Sequence, residues 1–239
     1  MKTHHNLIAD DTSTPSANLS ARLSTDTPRN TNTSVNHQSI AENIKSDGYV
    51  VIDDALNIDL LNSLFTYLKS INKKSFKQAG IGRDTNFQLN PFVRTDEIIW
   101  LDKNTNTDGY FHWMEDLRLQ LNQALFLCLF DYETHFSHYP PGAFYKWHYD
   151  GFKQSSNRII STILYLNPDW QEHDGGELCI YNAENNLLKK VAPIFGRMVI
   201  FLSEEFPHEV LPTKTDRYSL TGWFRVNNNG RVIDPPISF

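Results

Sequence analysis

Asp216-Arg-Tyr-Ser-Leu-Thr-Gly-Trp-Phe-Arg225 alternates side-chain character with the two-residue period of a half-buried strand. On such a strand Arg217, Ser219, Thr221 and Trp223 share one face, because successive side chains point to opposite sides. An arginine pointing into a barrel is costly unless a partner takes its charge. A carboxylate matches the planar guanidinium fork best, through two parallel N–H bonds. A dicarboxylic cosubstrate is one source of that carboxylate.

Outward from this strand, toward the N-terminus, the chain reads as a series of short strands over residues 143–148, 159–167, 177–181, 197–202 and 209–211, closing with 218–226. Turn signals punctuate them: Pro140-Pro-Gly142, Asp174-Gly-Gly176 and Asn227-Asn-Asn-Gly230. Gly175-Gly176 reads as a tight β-turn, since the helix and lysine of a phosphate cradle do not follow it. Before residue 131 the pattern is helical. A short helix is predicted over 38–45, a strand over 48–53, and a helix capped by Asn57 that carries Leu60, Leu61, Leu64, Phe65 and Leu68. Phe111, Met114, Leu117, Leu121, Leu125 and Cys128 form a second helical stripe, read as core packing against a sheet. Helices first and strands afterward predict a mainly β, α+β domain in which a helical layer buttresses an antiparallel sandwich or barrel.

Residues 1–37 are rich in Ser, Thr and Asn and hold no Phe, Trp or Tyr, so they cannot bury enough apolar surface to offset their ordering entropy. They are read as a disordered tail, with one domain over 38–239. His4-His5 in that tail is given no function. The segment 234–239, with its two prolines, is read as a surface tail. A formal net charge of −6 over 239 residues argues against a nucleic-acid footprint. The two cysteines, Cys128 and Cys179, fit neither a metal spacing nor a disulfide framework, which points to a reducing compartment. The apolar run from Ala124 to Phe130 is too short to span a bilayer and the N-terminus lacks an apolar signal core, so the expected location is cytoplasmic, without a membrane partner.

Tyr145-Lys-Trp-His-Tyr-Asp150 places His148 and Asp150 two apart, and Phe206-Pro-His-Glu-Val210 adds His208. On a strand His148 and Asp150 point the same way, so one strand offers two ligands and a distant one the third. Two imidazoles and a carboxylate on one side of a metal leave its other positions open, as in non-haem Fe(II) oxygenases. His112, His135, His138 and His173 lack a partner at ligand spacing and are read as structural or surface residues. Trp100, Trp113 and Trp170 are read as framework aromatics; Trp223 differs by sharing the Arg217 face. No nucleophile elbow is present, which argues against an acyl hydrolase.

With Tyr139-Pro-Pro-Gly142, Arg158-Ile-Ile-Ser-Thr-Ile-Leu-Tyr-Leu-Asn-Pro-Asp-Trp170 and Gly175-Gly-Glu-Leu178 in this order around the three ligands, the chain from about Asp47 to Arg225 resembles the 2-oxoglutarate- and Fe(II)-dependent dioxygenases. Within them it resembles the prolyl hydroxylases related to the hypoxia-inducible-factor enzymes and their bacterial homologues. The resemblance implies a double-stranded β-helix, or jelly roll, with its core over about 131–226. It implies that His148, Asp150 and His208 bind Fe(II), that Arg217 pairs with the distal carboxylate of 2-oxoglutarate, and that Tyr165 donates a hydrogen bond to that carboxylate. Tyr139, Thr221 and Trp223 match pocket-lining positions of the cosubstrate site. Val93-Arg-Thr-Asp-Glu-Ile-Ile-Trp100 resembles the start of a substrate-covering loop region, with Asp96 pairing with Arg158.

The activity implied is O2-dependent hydroxylation of a prolyl residue in a protein, with release of succinate and CO2 and with ascorbate as an admissible reductant. The implied partner is a protein with an exposed proline, such as a translation factor of the elongation factor Tu kind. A monomer is the favoured state. Two other classes stay open at this point: an oxygenase of a small molecule or another residue type, and a non-catalytic metal-binding jelly roll, Zn(II) included.

Overall fold

The computed structural model describes residues 36–80, 88–151 and 157–227. The expected N-terminal tail, apart from Asn36 and His37, and the C-terminal segment 234–239 lie outside these residues. The first helix, α1 (His37–Asp47), begins where the Asn36 side chain accepts from the Gln38 amide and ends at Gly48, whose φ of 76° suits a residue without Cβ. Strand β1 (Tyr49–Ile52) follows, then α2 (Ile58–Ser70), capped as expected by Asn57, which accepts from the Leu60 amide at 2.8 Å. Strands β2 (Lys77–Gln78) and β3 (Glu97–Trp100) precede α3 (Asp108–Leu125).

The remaining strands are β4 (Leu129–Tyr139), β5 (Tyr145–His148), β6 (Arg158–Tyr165), β7 (Leu178–Tyr181), β8 (Leu187–Val191), β9 (Met198–Leu202), β10 (His208–Val210) and β11 (Arg217–Val226). They form two antiparallel sheets. Seven strands run in the order β1-β9-β6-β11-β4-β3-β2, and four in the order β5-β10-β7-β8. The expected β-rich fold with helices on one side is therefore present.

Strand alternation divides the interior into two layers. Phe136 of β4, Ile160 and Leu164 of β6, Met198 and Ile200 of β9 and Leu220 and Phe224 of β11 face the helices, packing with Leu64, Met114, Leu117 and Leu121. The other face carries Tyr139, Ile163, Tyr165, Val199 and Phe201, which meet Leu178, Ile180 and Val210 of the small sheet. Gly222 interrupts the helix-facing row of β11 because a Cβ there would collide with the Tyr132 hydroxyl, which bonds Tyr110 and Thr162.

Three expectations are corrected. Cys128 does not extend the α3 stripe: the helix stops at Leu125, Phe126 takes a φ of 55°, and Cys128 is exposed. Strands β2, β3, β4 and β8 are additional to those predicted. Much of β4 escaped a hydrophobic-period reading because its inward positions, His135 and Ser137, are polar yet buried, whereas β8 is an edge strand with exposed Lys189 and Lys190. Asp150 does not share a strand with His148; β5 ends at His148, and Asp150 lies in the bend after it. Among the described residues no helix is long and apolar enough to cross a membrane.

Candidate active site

The sheet brings the two histidines together directly. His148 at the end of β5 stands opposite His208 at the start of β10 in antiparallel register, with ring centroids 4.3 Å apart. Asp150 reaches between them, Oδ1 lying 3.6 Å from His148 Nε2 and Oδ2 3.6 Å from His208 Nε2. One ligand atom from each residue lies within 4.8 Å of the others. Each imidazole is oriented by its own chain: His148 Nδ1 is 2.7 Å from the Lys146 carbonyl and His208 Nδ1 is 3.1 Å from that of Phe206. A proton on Nδ1 satisfies both bonds and leaves each Nε2 with its lone pair toward the cluster.

The carboxylate is fixed in the same way. Ser161 Oγ donates to Asp150 Oδ2 at 2.7 Å and lies 2.8 Å from Ser203 Oγ. Burial alone would raise the Asp150 pKa, but the His208 and His148 imidazoles and the Ser161 hydroxyl outweigh it and hold the carboxyl well below the usual range. Burial, helped by His148, lowers His208 to about 4. An ionised carboxylate beside a neutral His208 imidazole is the protonation state a divalent cation needs. Tyr145 stacks on His148 with a 3.5 Å centroid separation, backed by the Arg94 guanidinium 4.2 Å from its ring.

Arg217 opens β11 and is 1% exposed. Its Nε donates to the Gly176 carbonyl at 2.8 Å, and among the described residues no carboxylate pairs with it. The φ of 67° at Gly176, and the 3.0 Å that would separate a Cβ there from Arg217 Cδ, explain why glycine stands at this position. Tyr139 and Tyr165 flank the guanidinium, their ring centroids 4.7 and 5.1 Å away. The Tyr165 hydroxyl is buried with no hydrogen-bond partner among the described residues, and burial pushes this phenol up to about 12 against the opposing pull of Arg217. A buried cation without a counter-ion next to a buried hydroxyl without an acceptor fits the far carboxylate of 2-oxoglutarate. The His-Asp-His cluster likewise fits Fe(II).

His148, Asp150, His208, Arg217, Tyr139, Thr221, Trp223 and Arg158 all line one cavity. Tyr165 and Asp96 do not line it but stand behind it, each against an arginine of the wall. The expected Asp96–Arg158 pair is not formed. Asp96 binds Arg94 through both oxygens, at 2.7 and 2.6 Å, while Arg158 binds Glu133 at 2.8 and 2.7 Å and lies 3.5 Å over the Trp223 ring. The sheet register decides this: Trp223 of β11 pairs with Glu133 of β4 on one side and Ser161 of β6 on the other, which brings Glu133 within reach of Arg158.

Sequence reasoning missed Arg94, His135, Ser137 and Tyr145 on the cavity wall and Ser161 behind Asp150. The alternation His135, Ser137, Tyr139 was the available signal, had β4 been recognised. Of the two readings given for His135, structural or surface, burial on the cavity wall leaves the structural one; His138 is likewise buried, bonded to Asp216 at 2.6 Å and Glu97 at 3.3 Å.

Residues 134–225 match the family model described as the 2OG-Fe(II) oxygenase superfamily. A crystal structure of a Pseudomonas putida prolyl-4-hydroxylase superposes with a TM-score of 0.73 at 37% identity, covering 81% of this chain and 100% of that one. A Trichoplax adhaerens prolyl hydroxylase, solved in complex with a hypoxia inducible factor oxygen degradation domain peptide fragment, gives 0.69 at 25% identity, covering 79% of this chain and 88% of that one. The human prolyl hydroxylase EGLN3 is 36% identical over 85 residues, which span 35% of each chain.

Proposed function

The chain belongs to the 2OG-Fe(II) oxygenase superfamily, in its prolyl hydroxylase branch, and from that premise we propose that it hydroxylates a prolyl residue of a protein substrate. The observation that carries the reading is the placement of a buried Arg217, without a carboxylate partner among the described residues, in the same cavity as the His148, Asp150 and His208 cluster. A merely metal-binding jelly roll has no use for that uncompensated cation, whereas a dicarboxylic cosubstrate does. The complex of the Trichoplax adhaerens relative with a peptide supports a protein, rather than a small molecule, as substrate.

With Fe(II) bound, 2-oxoglutarate and O2 supply the oxidation: the diacid is decarboxylated to succinate and CO2, one oxygen atom entering succinate and the other the substrate C–H bond. The chain's residues arrange this chemistry. His148, Asp150 and His208 would hold the metal on one side, Ser161 keeping the Asp150 carboxylate turned and the Lys146 and Phe206 carbonyls keeping both Nε2 atoms forward. Arg217 and Tyr165 would bind the far carboxylate, with Tyr139, Thr221 and Trp223 forming walls of the pocket. Arg158 and the Asp96-supported Arg94 would shape the side on which the protein substrate enters. Ascorbate as reductant, a cytoplasmic site of action, a monomeric state and a translation factor such as elongation factor Tu as target belong to the same proposal.

Three measurements test it. Proteome comparison between a strain lacking this chain and its parent is expected to reveal a protein that loses one oxygen atom from a prolyl residue; loss from another residue type would refute the prolyl reading. In vitro, Asp150→Ala is expected to abolish succinate formation. Arg217→Lys, which keeps the charge but loses the fork, is expected to weaken 2-oxoglutarate binding by about 1.5–3 kcal/mol, roughly tenfold to a hundredfold, while metal binding persists. Unchanged 2-oxoglutarate affinity in calorimetry would remove Arg217 from the cosubstrate site.

A further inference from the structure

The bend that carries Asp150 is held by the residue just beyond β9, Ser203, through both its backbone and its side chain. The Ser203 carbonyl accepts from the Gly151 amide at 3.2 Å, and the Ser203 amide donates to the Ile159 carbonyl at 3.0 Å, so this one residue ties the bend to β6. Its hydroxyl lies 2.8 Å from that of Ser161, which in turn lies 2.7 Å from Asp150 Oδ2. Neither serine has measurable exposure. Gly151 permits the close approach: a Cβ there would stand 2.9 Å from Glu204 Cγ and 3.1 Å from the Arg158 carbonyl oxygen.

The direction of the side-chain bonds follows from counting protons. An ionised carboxylate only accepts, so the Ser161 proton is committed to Asp150. A serine hydroxyl has one proton, and between the two serines Ser161 is therefore the acceptor and Ser203 the donor. Both protons point toward the carboxylate, and donation from Ser203 makes the Ser161 hydroxyl a stronger donor in its turn. The bond is made to Oδ2, the oxygen 3.6 Å from His208 Nε2, so turning the carboxylate out of its place between the two histidines breaks the relay.

We infer that Ser203 is a positioning residue for Asp150 and acts through Ser161, ordering that hydroxyl so that the carboxylate is already turned before a metal arrives. The inference rests on His148, Asp150 and His208 being the metal site, and not on the identity of the substrate. The competing role for Ser203 is structural: its backbone bonds alone hold the bend, and its hydroxyl is dispensable to the metal. Side-chain substitutions separate the two, because they leave both backbone bonds in place.

The experiment uses the full chain, freed of metal, titrated with Zn(II) by calorimetry and with Co(II), whose visible absorption reports the ligand arrangement. Ser203→Ala is expected to weaken Zn(II) binding about two- to tenfold, the scale of one neutral hydrogen bond, and to change the Co(II) absorption. Ser161→Ala is expected to lose more, since its bond is made to the ligand itself. In the Ser161→Ala background Ser203→Ala is expected to change nothing further, because the relay is already cut. Ser203→Cys, close in size and with a weak donor, is expected to recover part of the loss. Should Ser203→Ala fail to fold, as read from thermal unfolding of the metal-free chain, Ser203→Cys in the two backgrounds completes the same cycle.

Wild-type Zn(II) affinity and Co(II) absorption in Ser203→Ala would overturn the inference. Equal losses with and without the Ser161 hydroxyl would overturn it too, because Ser203 would then act independently of Ser161. Asp150→Ala tells this failure from a failure of the metal site. If Zn(II) binding persists in Asp150→Ala, the ligand assignment falls and the inference with it; if binding is lost there and unaltered in Ser203→Ala, only the positioning role falls.

Discussion

The two faces of strand β11 are built from adjacent residues and serve opposite ends. Toward the helices, Tyr218, Leu220 and Phe224 are buried against apolar neighbours. Toward the cavity, Arg217, Ser219, Thr221 and Trp223 line a space in which, among the described residues, the Arg217 cation has no counter-ion and the indole N–H no acceptor. Strands β4 and β6 repeat the division, with Phe136, Ile160 and Leu164 on the helix side and His135, Ser137 and Ser161 on the other. One sheet thus carries stability on one face and an unfinished set of polar partners on the other, and a period-two strand keeps them apart at single-residue resolution.

The comparison breaks most directly on its apolar side. Phe224→Ala, at a position with no measurable exposure, is expected to cost about 3–5 kcal/mol of folding stability, read from urea or thermal unfolding of the metal-free chain. A loss below about 1 kcal/mol would mean that the helix-facing layer does not anchor the sheet.

Ser161→Ala addresses the polar side with a smaller change. It removes the 2.7 Å bond that holds the Asp150 carboxylate, and Zn(II) or Mn(II) affinity is expected to fall roughly 10–100-fold, the usual effect of losing a hydrogen bond behind a metal ligand. Calorimetric titration giving wild-type affinity would show that the bend after β5 positions Asp150 unaided.

The mildest effect is on pH. His208, lowered to about 4, and His135, also lowered by burial, stay neutral in the folded metal-free chain while the unfolded chain takes up protons below about 6.5. Between those limits the unfolded state binds more protons, so stability falls as pH drops from about 6.5 toward 4, by up to about 1.4 kcal/mol per pH unit for each such group. Urea midpoints measured across that range should show the slope, and His135→Leu should flatten it. A slope unaltered by that substitution would mean His135 is not held neutral.

Much of this layout was legible before any coordinates. The strand containing Arg217, its four inward residues, the Asn57 cap and the helical stripe through Leu121 follow from local periodicity and spacing, because a side chain's face is fixed by its own strand or helix, whereas the grouping of His148, Asp150 and His208 was expected from their spacing together with the family resemblance. Strand β4 was not legible, since its inward residues are polar for the sake of the cavity and blur the hydrophobic period. Arg158 was given the wrong acid because ion pairs between strands depend on register: Glu133 reaches it only through the pairing of β4, β11 and β6, whereas Asp96 meets Arg94 two residues away.

The sequence by itself determined which chemical groups this protein possesses and which way each strand presents them, because both are properties of short segments of chain. Only the tertiary structure decided which of those groups meet: that Asp150 leaves its strand to sit between His148 and His208, that the Gly176 carbonyl fixes Arg217, and that His135 and Trp223 are left buried beside a cavity without partners. Contacts of this kind join residues up to some ninety positions apart, and their geometry is set by sheet register and close packing rather than by any local pattern.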